Sequence, residues 1–180
     1  MVAENRSRFA VEVTQAVVDA VGTDKTGIRL SPFSEFQGME MTDPIPQFAD
    51  IFRRLDKFGL AYLHLVETSI SGSAEVEGYG SLSTLLPYYG GTLLIAGGYD
   101  PNTAKRLLHE HKDRQVVVVF GRYFISNPDL MFRLTKGIEL SPYDRENFYT
   151  QRRRRFILTI PSARNGRKCR PSCNKCKVCG

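Results

Sequence analysis

The sequence predicts an α/β protein built on a parallel β-sheet, in which strands and helices alternate along the chain. Three observations support this fold class. Short apolar runs, typical of buried strands, recur through the first 120 residues. Amphipathic stretches with helical periodicity separate these runs. The runs begin about 20 to 35 residues apart, which matches the roughly 30-residue repeat of a (β/α)₈ barrel.

The first predicted elements each have a local signal. Apolar residues recur at helical spacing over Arg8–Val18, which predicts a helix ahead of the first strand. That strand, Gly27–Leu30, is stopped by Ser31-Pro32. The amphipathic stretch Phe48–Phe58 predicts the next helix, and the alternating run Leu60–Val66 predicts the second strand.

Two further strands complete the predicted sheet. The third, Thr92–Ala96, is followed by an amphipathic helix over Thr103–His109, and the fourth, Val116–Phe120, opens with four consecutive valines. Four strands make a partial (β/α)₈ barrel whose two sheet edges carry unpaired backbone groups. The sequence therefore predicts dimerisation, aggregation or marginal stability.

The segment after the fourth strand has the layout of a phosphate site. Gly121 and Arg122 stand at the carboxyl end of a strand, where α/β folds bind phosphates. Ser126–Asp129 then offers the cap and first-turn residues of a following helix. Pro128 disfavours helical geometry at Asn127, the residue before it.

The composition is that of a folded domain with a basic appendage. Residues 151–180 hold 10 of the 25 Lys and Arg residues and none of the 19 Asp and Glu residues, which leaves a net charge of −4 for residues 1–150. We expect one domain over 1–150 and a disordered basic tail over 151–180. No apolar run approaches the roughly 18 residues of a membrane helix, and Met1–Arg8 is too polar for a signal peptide, so a cytoplasmic protein without a membrane partner is expected.

Four motifs carry a family resemblance. They are Glu4–Phe9, Gly27–Phe33, Ala96–Tyr99 and Phe120–Leu130. In this order they resemble the Old Yellow Enzyme family of flavin-dependent reductases, from about Glu4 to about Tyr149. The resemblance covers the C-terminal half of the family, and it implies a partial TIM barrel equivalent to the last four βα units.

The resemblance implies FMN as the cofactor. The arginine that matches Arg29 lies beside the pyrimidine end of the flavin, where its charge stabilises the reduced ring. Gly97 and Gly98 match one loop of the phosphate cradle, and Gly121 and Arg122 match the other. The residues alone leave other roles open: an ion pair between Arg29 and Glu67, a plain strand-to-helix turn at the Gly-Gly pair, or pairing of Asp100 with Arg122.

The implied activity is reduction of α,β-unsaturated carbonyl compounds (enones) with NAD(P)H as reductant. Tyr149 matches an aromatic residue that lines the substrate pocket, although a packing role is equally compatible with the sequence. The family's proton donor and carbonyl-anchoring residues lie upstream of the motif at Glu4–Phe9, so no catalytic residue is assigned. The chain alone is expected to be weakly active or inactive, with self-association or a complementary N-terminal half-barrel as possible partners.

Histidines and cysteines add little to the predicted chemistry. His64 is interpreted as a satisfied core or barrel-interior residue, and His109 and His111 as members of a solvated helix face. The cysteines, Cys169, Cys173, Cys176 and Cys179, are too crowded for a common zinc geometry, so no metal site is assigned. A non-catalytic half-barrel whose basic tail binds nucleic acid, metal or protein is the alternative function, but the run Arg152–Arg155 is weak evidence for a nucleic-acid partner.

Overall fold

The computed structural model describes residues 3–34, 38–39, 41–67, 70–71, 74–75, 82–145 and 148. Tyr149, the run Arg152–Arg155 and the four cysteines lie outside the described residues, so the predictions for the substrate tyrosine and the tail remain predictions. The chain forms two compact units, Met1–Val119 and Phe120–Gly180. Each unit is described by itself.

Helices and strands alternate in the first unit, which confirms the predicted α/β fold class. The helices are α1 (Ala3–Val21), α2 (Ile45–Asp56) and α3 (Pro101–Glu110). The strands are β1 (Gly27–Leu30), β2 (Tyr62–Val66), β3 (Ile70–Ser71), β4 (Ala74–Glu75), β5 (Leu93–Ala96) and β6 (Val116–Val119). Short 3₁₀ helices cover Thr23–Lys25, Leu82–Thr84 and Leu86–Tyr88. None of the helices in the described ranges is both long and apolar enough to pass through a membrane.

One parallel sheet organises this unit. Its strands follow the order β1-β2-β5-β6, and a separate antiparallel ribbon pairs β3 with β4. Pairing places side chains in rows across the sheet. One row is Ile28, Leu63, Leu93 and Val116; the next is Arg29, His64, Leu94 and Val117; the third is Leu30, Leu65, Ile95 and Val118.

The two faces of the sheet have different environments. Leu63, Leu65, Leu93 and Ile95 are fully buried, and they join Phe52 of α2 in one hydrophobic cluster. Successive strand residues point to opposite faces, so the row that contains Arg29 faces away from this cluster. Val117 in that row is 50% exposed. A partial barrel has such an uncovered face where a closed barrel has its interior.

Helix α1 also carries apolar side chains into solvent. Phe9, Val13, Val17 and Val21, spaced four residues apart, form a stripe along this helix. Phe9 is 76% exposed, and the three valines are between 43% and 46% exposed. A stripe of this kind normally faces a packing partner, which agrees with the prediction of an incomplete barrel.

Asp100 begins α3 with a capping box. Its carboxylate accepts hydrogen bonds from the backbone N–H groups of Asn102, at 2.6 Å, and Thr103, at 3.0 Å. The Thr103 hydroxyl accepts a hydrogen bond from the Asp100 N–H at 2.9 Å. The bond from the Thr103 backbone is the leading cause of the lowered pKa of Asp100, below its ordinary 3.8.

We expect Asp100→Ala to lower the free energy of unfolding by about 1 kcal/mol, because two helix N–H groups lose their acceptor. Asp100→Asn keeps an acceptor oxygen and should lose less. The pKa of the Asp100 carboxyl is lower in the folded state than in the unfolded state. The wild type should therefore have a higher free energy of unfolding than the Asn variant above pH 3.8, and this difference should disappear as the pH falls through the folded-state pKa. Urea unfolding at pH 7 and at acidic pH measures both effects; equal losses for Ala and Asn would contradict the capping role.

The second unit consists of α4 (Arg122–Ser126), α5 (Leu130–Lys136) and the segment that follows them. The fully buried Asn127 lies between the helices with non-helical dihedral angles, which confirms the effect predicted for the proline after it. Within α5, the Arg133 guanidinium forms a buried ion pair with Asp129 at 2.9 Å. A helix follows Ser126–Asp129 as predicted, but of these residues only Asp129 is its N-cap. Ser126 instead ends α4, which was not predicted.

Candidate cofactor-binding site

Arg29 and His64 are neighbours on the uncovered face of the sheet. They are paired residues on the adjacent parallel strands β1 and β2. The Arg29 side chain is exposed, and His64 is half-buried. None of the ion pairs between described residues joins Arg29 to Glu67. The sheet therefore presents the guanidinium toward the region that a barrel would enclose.

His64 has a polar atom without a hydrogen-bond partner. Its Nε2 atom is buried, and no hydrogen bond to it is found within the part of the chain that the structure describes. Burial, and secondarily the charge of Arg29, lower the pKa of His64 below its ordinary 6.5, so the imidazole is neutral at pH 7. The predicted barrel-interior position is confirmed. The prediction that its hydrogen bonds are satisfied is wrong for Nε2. The neighbouring Arg29 acts on His64 through its charge and forms no hydrogen bond with this atom.

Gly97 and Gly98 end β5 in conformations that favour glycine. Their φ angles are +148° and +67°. A Cβ atom on Gly97 would lie 2.4 Å from the Cβ of Glu67 and 3.1 Å from its backbone nitrogen. The Glu67 N–H donates a hydrogen bond to the Ala96 carbonyl at 2.8 Å, which fixes this approach. Glycine at position 97 is thus required by the neighbouring strand, whatever else binds there.

Gly121 and Arg122 open the second unit. A Cβ on Gly121 would meet no atom within 4 Å, so its backbone borders open space. The Arg122 Nη1 atom donates a hydrogen bond to the Tyr143 hydroxyl at 3.3 Å, and the guanidinium carbon lies 5.8 Å from the centre of that ring. Asp100 is the residue that the sequence leaves open as an ion-pair partner of Arg122, and its carboxylate caps the N-terminus of α3.

A cavity of about 230 Å³ on the helix side of the sheet was not predicted. Its polar lining residues are Glu67, Ser83, Tyr99, Thr103, Arg106, Glu110 and His111. Burial, and then the charges of Glu67 and Glu110, raise the pKa of Tyr99. The cavity brings together residues between Glu67 and His111 that are far apart in the chain and share no sequence motif, so the sequence carries no local signal for it. His111, expected on a solvated face, is half-buried here.

The described residues contain no group of three His, Cys, Asp or Glu side chains placed to hold a metal ion. Each unit does contain groups that suit part of a flavin nucleotide. A fixed positive charge at Arg29 lies beside a polar ring atom that lacks a partner, and a second arginine, Arg122, follows a glycine that borders open space. A planar polar ring and an anionic phosphate match these two sets of groups.

Comparison with protein families agrees with this chemistry. Residues 2–141 match the NADH:flavin oxidoreductase / NADH oxidase family. The chain is 51% identical over 149 residues to the chanoclavine-I aldehyde reductase fgaOx3 of Penicillium roqueforti, covering 81% of this chain and 40% of that protein. It is 45% identical over 159 residues to the probable inactive dehydrogenase easA of Claviceps fusiformis, covering 81% and 41%. The chain thus spans about two fifths of the length of these relatives.

Solved structures give the same result for the fold. Morphinone reductase superposes with a TM-score of 0.78 at 33% identity, covering 93% of this chain and 44% of that one. The old yellow enzyme of Trypanosoma cruzi gives a TM-score of 0.79 at 27% identity, covering 91% and 42%. These matches confirm the predicted family resemblance and the predicted partial barrel.

Proposed function

Because this chain belongs to the NADH:flavin oxidoreductase / NADH oxidase family, we propose that it binds FMN and serves NAD(P)H-dependent reduction of α,β-unsaturated carbonyl compounds. The observation that carries this proposal is the pairing of Arg29 with His64 on the uncovered sheet face. An exposed guanidinium beside a neutral imidazole suits the polar edge of a flavin ring better than it suits a protein core.

Bound FMN would supply hydride transfer, accepting hydride from a nicotinamide and passing it to the alkene. Arg29 would place its positive charge beside the ring. His64 is neutral, so it adds no second charge and offers a hydrogen-bonding atom. Together they would hold the edge of a bound flavin ring and would favour its electron-rich state.

Two glycine-containing turns would bind the phosphate of FMN. One is Gly97-Gly98, which follows β5, and the other is Gly121-Arg122, which follows β6 in the sequence. Backbone N–H groups at such turns donate to phosphate oxygens, and an arginine adds charge-assisted hydrogen bonds to a dianion. Tyr149 is proposed to line the substrate side.

We also propose that full activity requires another polypeptide or segment. No described residue matches the family's proton donor. The uncovered face around Arg29 and Val117, and the apolar stripe of α1, are surfaces that a complementary half-barrel or a second copy of this chain would cover. Alone, the chain is expected to bind flavin with little or no enone reduction.

The test compares FMN with riboflavin, which has the same ring and lacks the phosphate. We expect the full chain to bind FMN more tightly, and Arg122→Ala to weaken FMN binding about 10- to 100-fold without changing riboflavin affinity, since charged hydrogen bonds to the phosphate are lost. Flavin fluorescence titration measures both affinities.

Arg8→Ala is the matched control, because Arg8 is an exposed arginine on α1, remote in sequence from both glycine turns. It should leave both affinities at their wild-type values. A chain that fails to bind FMN, or an Arg122→Ala variant that keeps wild-type FMN affinity, would contradict the proposed function. Size-exclusion chromatography of the same samples reports whether binding accompanies self-association.

A further inference from the structure

Arg122 packs against an aromatic cluster within the second unit. Besides accepting a hydrogen bond from the guanidinium, Tyr143 meets the Tyr123 ring edge-on, with centroids 5.2 Å apart and an interplanar angle of 76°. Phe148 is a second aromatic neighbour of Tyr143, with centroids 5.8 Å apart and an interplanar angle of 46°. Two aromatic neighbours restrict the orientations that the Tyr143 ring can adopt.

The backbone that carries Tyr143 is fastened to the end of α4. The buried side chain of Asn127 accepts a hydrogen bond from the Ser141 N–H at 2.8 Å and donates one to the Ser141 carbonyl at 3.0 Å. The Ser126 hydroxyl donates to the same carbonyl at 3.0 Å. Ser141 is therefore held from both of its backbone polar groups, and Tyr143 follows it by two residues. Ser141 is thus bound to the C-terminal end of α4, and Arg122 is the first residue of the same helix.

We propose that Tyr143 is a positioning residue that orients the Arg122 guanidinium toward the phosphate of FMN. This inference rests on the proposed function. An arginine side chain loses rotamer entropy when it is immobilised, so a partner that fixes it beforehand makes binding of the phosphate more favourable. Tyr143 does so through its hydroxyl and through its ring.

The experiment separates positioning from general stability by the ratio of FMN affinity to riboflavin affinity in the full chain. We expect Tyr143→Leu to weaken FMN binding about 5- to 30-fold and to leave riboflavin affinity unchanged, because only the phosphate contact depends on Arg122. Tyr143→Phe keeps the ring and loses the hydroxyl, so it should weaken FMN binding by a smaller factor, about two- to fivefold.

Tyr88→Leu is the matched control. The first unit has a similar contact there, with the Arg53 guanidinium carbon 4.4 Å from the centre of the Tyr88 ring. Loss of that contact tests the effect of removing an arginine-bound tyrosine elsewhere, and the affinity ratio should stay at its wild-type value. Arg122→Ala is measured alongside and should lower the ratio more than either Tyr143 variant.

The outcomes distinguish the two proposals. If Arg122→Ala lowers the ratio and Tyr143→Leu affects both flavins equally, the positioning role is overturned and the proposed function stands. If Arg122→Ala leaves the ratio unchanged, the phosphate assignment fails and the positioning role fails with it. If Tyr143→Leu does not fold, the phenylalanine variant decides: an unchanged ratio overturns the positioning role, and a lowered ratio with wild-type riboflavin affinity supports it.

Discussion

Phe52→Ala is expected to lower the free energy of unfolding by about 3–5 kcal/mol. Phe52 is completely buried in α2, within the cluster that also contains Leu55, Leu63 and Leu65. Truncation removes the transfer free energy of the aromatic ring and leaves a cavity that the surrounding leucines fill only in part. Urea unfolding followed by circular dichroism measures the loss.

Phe9→Ala is the control for this prediction. It makes the same chemical change at a side chain that is 76% exposed on α1. The change in unfolding free energy should remain within about 0.5 kcal/mol, as for most surface substitutions. A Phe9 variant as destabilised as the Phe52 variant would mean that α1 has its stripe covered in solution, for example by self-association.

Gly97→Ala is expected to cost about 3 kcal/mol or more, because two penalties act together. The φ angle of +148° is unfavourable for a residue with a side chain. The added methyl would also overlap the Cβ of Glu67 at 2.4 Å and press on its backbone, which the hydrogen bond to Ala96 holds in place. Neither penalty can be relieved by turning a flexible side chain.

Gly137→Ala isolates the first of these penalties. Gly137 ends α5 with a φ angle of +64°, and an added Cβ would meet nothing within 4 Å. Its cost should be near 1 kcal/mol, the price of a left-handed conformation alone. The two variants are compared by thermal unfolding without flavin. Similar losses would contradict the close approach between β5 and β2.

Local patterns predicted the scaffold well because the strands are short and strongly apolar. Their periodicity does not fix the ends of elements, however. The second strand begins at Tyr62 rather than Leu60, since the Ala61 N–H donates to the carbonyls of Thr23 and Thr26 instead of to a strand. Likewise α2 begins at Ile45, three residues before the predicted start, because Pro46 is well suited to a first helical turn.

The candidate site was predicted less completely. Glycine and arginine positions after strands are visible in the sequence, so Arg29, Gly97, Gly98, Gly121 and Arg122 could be named. The lack of a hydrogen bond at His64 Nε2 depends on how β1 and β2 align. The position of Tyr143 depends on hydrogen bonds between Ser141 and Asn127, and Asn127 is 16 residues away from Tyr143 in the chain. Contacts of this kind arise from folding and leave no local pattern.

Alternation along β1 and β2 has a consequence for how this scaffold can change. Ile28, Leu30, Leu63 and Leu65 contribute to folding, whereas Arg29 and His64, which lie between them, contribute almost nothing to the hydrophobic cluster. Adaptation to a new ligand can therefore proceed at alternate positions of one strand while the intervening positions keep the protein folded. Stability and recognition are encoded in the same few residues of sequence but can be selected separately.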